Sequence, residues 1–364
     1  MSYVLQYLAG FARLGHDVYF VEKSGYSNSC YDPSRDIMSD DCSFGVAAVG
    51  ALLERFGLGE RWCFVDQHGR YHGLSRRRVK EVFKSADLFV DMGTHGAWMD
   101  ETIGGRRVLL DGEPGFTQIK MESGNGGAGQ RFPEYDHYYT CGANIGKAGC
   151  EVPTAGRDWR LLWHPVLCSE FAPEPVRPDA PFTTVMNWQS HDPLFYRGRS
   201  FGQKDIEFEK FVSLPARSSA LLEIAVSGKN TPWQRLKESG WRVRNAHEVT
   251  ATYDSFVSYI RASRGEFSIA KNIFVATYSG WFSDRSAVYL AMGRPVVLED
   301  TGFSAHLPCG RGLFAVRTVE EAVAALEEIT ASHEAHSRGA REIALEYLDA
   351  PVVLGRFLNE LGIQ

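Results

Sequence analysis

The stretch from Tyr278 to Val297, YSGWFSDRSAVYLAMGRPVV, decides how the second half of the chain is interpreted. A strand-like run ends at Gly280, and a helical pattern follows Ser283. That pattern stops at Gly293, before a Pro-Val-Val run. Strand, helix and strand in this order are typical of a parallel sheet covered by helices.

The corner between strand and helix is a candidate phosphate site. Ser283 is predicted to be the N-cap of the helix, with Asp284 in the first turn. A helix N-terminus presents free N–H groups and a partial positive charge, which suits a phosphate. Gly280 would let a ligand approach the backbone, and Arg285 would add a charge-assisted contact. The alternative is a capped helix with nothing bound.

Length and composition exclude several classes of protein. The 364 residues suit two domains, and a hydrophobic content of 44% with 23% charged residues describes a folded chain. A net charge of -6 disfavours a nucleic-acid surface. No apolar run reaches the roughly 20 residues of a membrane span, and residues 1–17 lack a signal-peptide pattern. The 7 scattered cysteines favour reduced thiols in a cytoplasmic protein.

The pattern along the chain divides it into two domains. Helical and strand patterns alternate throughout, except in SEFAPEPVRPDAP (residues 169–181), whose prolines predict an interdomain linker. We therefore expect an α/β protein with two doubly wound, Rossmann-like domains, residues 1–168 and 182–348, that face a cleft. Residues 349–364 are expected to form a C-terminal helix that returns to the first domain. Ligands of such sheets bind at the carboxyl ends of the strands.

The same residues resemble a known family. SGWFS, the following helix and GRPVV are similar to the donor-binding box of GT-B glycosyltransferases, although Tyr278 replaces the histidine of the plant members. The later EDTGFSAHLPCGRGLFAV looks like the loop and closing strand of GT-B C-terminal domains. GHDVYFVE, DGEPGFTQIKM and YRGRSFGQKDIEF extend the resemblance over nearly the whole chain, to a group of bacterial GT-B glycosyltransferases.

This resemblance implies an acceptor-side first domain and a second domain that binds a nucleotide sugar. It places the backbone of Thr301, Gly302 and Phe303 along the sugar and the diphosphate. A basic residue after the first strand of the second domain commonly neutralises the leaving diphosphate in this family. Arg199 and Lys204 in RGRSFGQK are the candidates here, and a solvated loop charge is the alternative.

A catalytic base is expected at the strand ends of the first domain. The candidates are His95 in DMGTHG, and Asp111 and Glu113 in LLDGEPG. In an inverting enzyme one of them would take the proton of the acceptor hydroxyl. A retaining enzyme needs no dedicated base. The alternatives are a satisfied loop histidine for His95 and a cap of the following turn for Asp111.

The resemblance therefore implies a metal-independent glycosyltransferase with a nucleotide-sugar donor, a small-molecule acceptor and no further cofactor. A sugar-nucleotide epimerase or hydrolase and a non-catalytic GT-B partner protein are the alternatives, and oligomers are possible. No His, Asp or Glu cluster shows metal-ligand spacing. GT-B N-terminal domains normally begin with a strand and a glycine-rich loop. Since the sequence given starts within the first helix, the first domain is expected to lack its first strand.

Overall fold

The structure is a computed structural model that describes residues 2–35, 37–93, 96–124, 132–190 and 192–363. Helices and strands alternate along the chain, as the sequence pattern predicts. All seven cysteines are free thiols. Within the described ranges, no helix has both the length and the apolar character that crossing a membrane requires.

The first half of the chain carries its parallel strands in two sheets. One sheet has the order β1-β4-β5, and the other has the order β6-β7-β8-β9. Among the described residues, no hydrogen-bonded ladder joins β1 to β6, so these two sheets are separate. The sequence analysis expected the first strand to be missing from this part of the chain. The elements are α1 (Ser2–Arg13), β1 (Phe20–Lys23), β2 (Cys30–Asp32), β3 (Ile37–Ser39), α2 (Ser43–Arg55), β4 (Trp62–Val65), β5 (Tyr71–Gly73), α3 (Arg76–Ser85), β6 (Leu88–Asp91), β7 (Arg106–Asp111), α4 (Phe116–Glu122), β8 (His137–Thr140) and β9 (Trp159–Leu161).

The second half is built on a single six-stranded parallel sheet of order β14-β13-β10-β15-β16-β17. This is the strand order of a doubly wound dinucleotide-binding fold, with β10 and β15 on either side of the point where the order reverses. The elements are β10 (Phe182–Asn187), β11 (Leu194–Tyr196), β12 (Arg199–Phe201), α5 (Lys204–Phe208), α6 (Leu214–Arg217), β13 (Leu222–Ser227), α7 (Trp233–Glu238), β14 (Arg242–Asn245), α8 (Ala246–Thr250), α9 (Tyr253–Ala262), β15 (Gly265–Ser268), α10 (Asn272–Ala276), α11 (Asp284–Ala291), β16 (Val296–Glu299), β17 (Leu313–Val316), α12 (Val319–Ala331), α13 (His333–Ile343) and α14 (Ala350–Glu360).

One local prediction is wrong. The strand-like run before Gly280 is the short helix α10, and the strand of this unit is β15. A short apolar run is compatible with either state, so tertiary packing decides between them. The buried side chains of Ile273 and Phe274 pack in one cluster with Phe116 and Ile119 of α4. The helix therefore joins the two halves of the chain.

The C-terminal helix packs against the first half of the chain. The ring of Phe357 in α14 lies 4.8 Å from that of Tyr139 in β8, and the Tyr139 hydroxyl donates a hydrogen bond to Glu360. An isolated bridge pairs Val166 with Asp349 at the start of this helix. The boundaries of the two domains and of the linker stay predictions.

The residues that follow the strands of the two halves meet directly. Gly142, after β8, forms an isolated antiparallel bridge with Trp281, which lies between β15 and α11. The backbone N–H of Asn144 donates to the carbonyl oxygen of Ser279. The carboxyl ends of both sheets therefore line the same cleft.

Candidate active site

The first turn of α11 forms the floor of the cleft on the side of the second half. Ser283 occupies the N-cap position, but its side chain makes no capping hydrogen bond. The hydroxyl groups of Ser283 and Ser286 are both buried and have no partner among the described residues. The first N–H groups of a helix lack intrahelical partners. The structure therefore removes the alternative in which the Ser283 side chain simply caps this helix.

Lys204 places an ammonium group in the same region. It begins α5, it is buried, and no described residue forms a hydrogen bond or an ion pair with its Nζ atom. Burial lowers its pKa well below the usual value, and the positive charges of Arg285 and Lys271 lower it further. A buried cation without a partner is costly. An anionic ligand would relieve that cost.

Arg285 is held by the sheet and does not point to a ligand. Its Nε atom donates to Glu266 over 2.6 Å, and its two terminal nitrogens donate to the carbonyl oxygen of Val185 and to the Ser268 hydroxyl. A contact between Arg285 and a phosphate, which the sequence analysis predicted, would have to replace or share these hydrogen bonds. The guanidinium group fixes α11 to β10 and β15, and it adds positive charge near Lys204.

Lys271 is a cation that the sequence analysis missed. It follows β15, and its Nζ atom donates to Glu113 Oε2 across the cleft over 2.5 Å. The lysine side chain is 13% exposed and the glutamate side chain 48% exposed. Glu113 is therefore an ion-pair partner of Lys271, whereas the sequence analysis predicted a catalytic carboxylate. A basic residue directly after a central parallel strand was the available signal.

Asp111 is a fully bonded carboxylate at the end of β7. It accepts hydrogen bonds from the Glu113 backbone N–H, from Gln118 and from Thr140, over 2.8–2.9 Å. Burial raises its pKa, and these hydrogen bonds oppose the rise. These bonds hold the carboxylate within the protein, and its predicted role as a base stays a prediction. Asp111 ties the ends of β7, β8 and α4 together.

His164 is the imidazole group of the cleft. It is buried, and its Nδ1 atom has no partner among the described residues. Burial lowers its pKa, while the charges of Asp284, Asp111 and Glu113 oppose that shift. It follows β9 by three residues, a strand-end position that the sequence analysis overlooked. The charges that act on this histidine thus belong to three predicted carboxylates, whereas the histidine itself was not predicted.

The loop 300–303 is joined to the corner before α11. The Thr301 hydroxyl donates to the carbonyl oxygen of Trp281, the Gly302 N–H donates to Asp300, and the buried ring of Phe303 lies 5.3 Å from that of Phe282. The Thr301 and Phe303 side chains and the Gly302 N–H are therefore used inside the protein. A ligand contact of this loop would have to use its remaining backbone groups.

Gly280 and Gly302 are required by contacts within the protein. Both have positive φ, +76° and +97°. A Cβ atom at Gly280 would lie 2.8 Å from the backbone nitrogen of Asn144, and one at Gly302 would collide with the Asn144 side chain. Gly280 is therefore required because residues 143–144 approach its backbone closely. The sequence analysis had instead expected a ligand to approach this glycine.

The remaining predicted residues lie elsewhere. Arg199 forms an ion pair with Glu151, and its side chain is 51% exposed. His95 lies outside the described residues. The role of each predicted site residue in ligand binding stays a prediction.

A cavity of about 480 Å³ adjoins the loop 300–303. Its lining residues are Lys210, Val275, Tyr278, Glu299, Asp300 and Arg317. Another cavity of about 530 Å³ lies between residues 84–87 and 104–106. Those segments precede β6 and β7, so it opens at the opposite end of the sheet from Asp111.

Solved structures of several glycosyltransferases resemble this arrangement of two sheets around a cleft. An alpha-glucosyltransferase (AGT) in complex with UDP has a TM-score of 0.55 at 11% identity, and the similarity covers 99% of this chain and 95% of that one. The Anabaena protein Alr3699/HepE in complex with UDP has a TM-score of 0.52 at 11% identity, over 95% of this chain and 100% of that one. The chain has the GT-B fold. Its sequence matches no protein-family model and no curated protein.

The GT-B fold confirms the predicted architecture of two α/β units around a cleft. The site described above lies at the carboxyl ends of β7, β8 and β9 on one side, and of β10 and β15 on the other. The N-terminal unit contributes His164, Asp111 and Glu113, whereas the C-terminal unit contributes Lys204, Lys271 and the start of α11 with Asp284. This division of charge is the basis for assigning a function.

Proposed function

We propose that this GT-B protein is a glycosyltransferase that moves a sugar from a nucleotide-sugar donor to a small-molecule acceptor without a bound metal ion. The observation that carries the proposal is the buried, unpartnered Lys204 ammonium in the same charged cluster as Asp284, which begins α11. The carboxylates of Glu266 and Asp284 act on this ammonium electrostatically without a hydrogen bond, and a diphosphate would accept the hydrogen bonds that it does not make within the protein. It also accepts hydrogen bonds from the free N–H groups of a helix N-terminus.

The diphosphate is proposed to lie between Lys204 and the first turn of α11. The Ser283 hydroxyl, buried and without a partner, is a further donor at this position. Lys271 becomes available when its ion pair with the half-exposed Glu113 opens. These groups stabilise the charge that develops on the leaving diphosphate, which is how a preorganised site lowers a barrier. This is the basis for proposing metal independence.

The nucleoside is proposed to occupy the cavity beside Tyr278. The cavity adjoins the Thr301–Gly302 loop, and the Tyr278 ring is 36% exposed. An exposed aromatic ring offers a stacking surface for a base. The structures in complex with UDP favour a nucleoside diphosphate as the first probe.

The acceptor is proposed to bind on the N-terminal side, near His164. In an inverting reaction the acceptor oxygen attacks the anomeric carbon, the bond to the diphosphate breaks, and His164 takes the hydroxyl proton. The lowered pKa of His164 keeps the imidazole neutral and able to accept that proton. In a retaining reaction the leaving phosphate takes the proton instead.

A small molecule is preferred over DNA as the acceptor because of the charge of the chain. A similar alpha-glucosyltransferase structure (TM-score 0.54, 11% identity) contains UDP-glucose and DNA. The net charge of this chain is -6, which opposes binding to a polyanion. Transfer of the labelled sugar to DNA in the assay would contradict this part of the proposal.

The test measures binding and transfer separately. We expect UDP, GDP or TDP to bind the wild-type protein in isothermal titration. Lys204→Met should weaken that binding by about 1.5–3 kcal/mol, or roughly ten- to a hundredfold, the range for hydrogen bonds to charged groups. Lys237→Met, at an exposed lysine, is the matched control. If both variants bind the nucleotide with equal affinity, the diphosphate does not bind at Lys204.

Transfer is followed with donors labelled in the sugar. Label in an acceptor supports the proposed glycosyltransferase. Label that remains in free sugar or nucleotide would identify a hydrolase or epimerase on the same fold. Nucleotide binding without any turnover would identify a non-catalytic binding protein.

A further inference from the structure

A second group of chemically reactive side chains lies in the N-terminal unit. It consists of Cys42, Asp66 and His72. The Cys42 sulfur is 3.5 Å from His72 Nε2, and this nitrogen is 3.0 Å from Asp66 Oδ2. All three atoms lie within 4.8 Å of one another, with Cys42 and Asp66 buried and His72 half-buried. The elements that form this group differ from those that carry Lys204 and Ser283.

The local fold explains why these side chains meet. β4 and β5 are antiparallel, and His72 is paired with Phe64. Asp66 follows β4, where its Oδ1 atom accepts the backbone N–H groups of His68 and Arg70 and so closes the turn. Its Oδ2 atom is thereby directed towards His72. Cys42 immediately precedes α2 and brings a thiol to the same point.

The chemistry of this donor set matches zinc. Thiolate, imidazole and carboxylate are the usual zinc ligands, with bonds of about 2.0–2.3 Å. Two ligands of a tetrahedral zinc ion are then about 3.3–3.6 Å apart. The two separations that involve His72, 3.5 and 3.0 Å, lie close to these values, and the Cys42 and Asp66 ligand atoms lie within 4.8 Å of each other. A soft thiolate together with an imidazole selects zinc over magnesium or calcium.

The surrounding charge favours a cation. Two carboxylates, Asp40 and Asp41, immediately precede Cys42 in the chain. The competing cation is Arg70, whose Nε atom donates to Asp66 Oδ2. Its side chain is 71% exposed, so it can move into solvent at small cost.

We propose that Cys42, Asp66 and His72 bind a zinc ion that ties the start of α2 to the β4–β5 hairpin. These three side chains leave the fourth position of a tetrahedral zinc ion to a water molecule. Binding releases the thiol proton of Cys42 to water and forms a bond between sulfur and zinc. A metal that binds only the folded chain stabilises it by mass action.

The experiment uses the full chain and zinc chloride. After reconstitution and removal of excess metal, we expect one zinc ion per chain by mass spectrometry, and a chelator should lower the melting temperature. Cys42→Ser and His72→Asn should each lose the metal. Cys309→Ser, at an exposed thiol, should retain it. Metal retained in both ligand variants, or no zinc in the wild type, would overturn the proposal.

A spectroscopic measurement covers the case in which a variant folds poorly. Cobalt chloride added to the wild-type protein should produce a thiolate-to-cobalt charge-transfer band and the visible bands of a tetrahedral site. Zinc should displace the cobalt and abolish both. Octahedral cobalt bands without charge transfer would show that Cys42 is not a ligand and would overturn the proposal.

Discussion

The two walls of the cleft differ in how their charges are arranged. On the N-terminal wall, Asp111 accepts three hydrogen bonds from neighbouring groups and Glu113 is paired. On the C-terminal wall, Arg285 is paired, but Lys204 and the start of α11 are not. A charge that is satisfied within the protein supports the fold. A buried charge that lacks a partner is left for a ligand. We therefore expect variants of the two kinds to have different effects.

The largest effect is expected at His164, the base proposed for the N-terminal wall. His164→Asn should lower turnover by about 10²–10⁴-fold, the usual contribution of a general base. The affinity for the nucleoside diphosphate should stay the same, because the diphosphate is bound by the opposite wall. Initial rates at saturating donor, together with titration of the nucleotide, separate the two quantities.

A control at the surface accompanies this variant. His68→Asn changes an exposed histidine of the β4–β5 turn and should leave turnover unchanged. Unchanged turnover in His164→Asn as well would exclude His164 as the base. It would favour the route in which the leaving phosphate takes the proton.

The next effect concerns stability at Arg285. Arg285→Met leaves the Glu266 carboxylate buried and unpaired, which should lower the free energy of unfolding by about 3–5 kcal/mol. Urea denaturation measures this change. Arg235→Met breaks an ion pair between half-exposed side chains and should cost at most about 1 kcal/mol. Similar losses in both variants would contradict a structural role for Arg285.

Substitution of Lys204 should change the free energy of unfolding in the opposite direction. Lys204→Met removes an unpartnered buried ammonium and keeps the apolar part of the side chain. The free energy of unfolding should therefore rise by about 1–3 kcal/mol. The melting temperature without ligand is the measurement, and Lys237→Met is again the control. A destabilised Lys204→Met protein would show that the ammonium supports the fold and is not kept for a ligand.

The pH dependence of binding tests the protonation state of Lys204. Burial, with Arg285 and Lys271, lowers its pKa in the free protein, and a bound diphosphate would raise it. Below the free-state pKa the lysine is protonated in both states, so affinity does not depend on this group. Between the free-state pKa and the higher bound-state pKa, binding takes up a proton. In that range the affinity for the diphosphate should fall by up to about tenfold per pH unit.

Titration in buffers with different ionisation enthalpies measures that proton uptake directly. The wild-type protein should take up a proton on binding at pH values between the free-state and the bound-state pKa of Lys204, and the uptake should vanish in Lys204→Met. Uptake that persists in the variant would assign the proton to another group.

The sequence predicted the fold and part of the site because both depend on local patterns. The helical pattern after Ser283, like Lys204 at the start of a helix, is visible in a few consecutive residues. His164 and Lys271 were missed because each is a single residue after a short strand. The Lys271–Glu113 contact joins residues 158 positions apart. Only the folded chain brings such residues together.

The partners that the structure gives to two predicted residues also lay outside the local pattern. Asp111 and Arg285 were predicted to act on a ligand because charged residues stand at strand and helix ends. Their hydrogen bonds are made by Thr140 and Glu266, which belong to neighbouring strands. Residue type and spacing indicate that a charge is present near a site. They do not indicate whether the protein already satisfies it.

The smallest expected effect concerns the ion pair that joins the walls. Glu113→Gln should release Lys271 and so increase the affinity for the nucleoside diphosphate. The pair is partly exposed, so the gain should be about 0.2–1 kcal/mol, or at most roughly fivefold. Glu151→Gln is the control, because it breaks the surface pair with Arg199 and leaves Lys271 unchanged. Titration with the nucleotide at low salt resolves such a difference. An affinity that falls in Glu113→Gln alone would mean that Glu113 holds Lys271 in its binding position and does not compete for it.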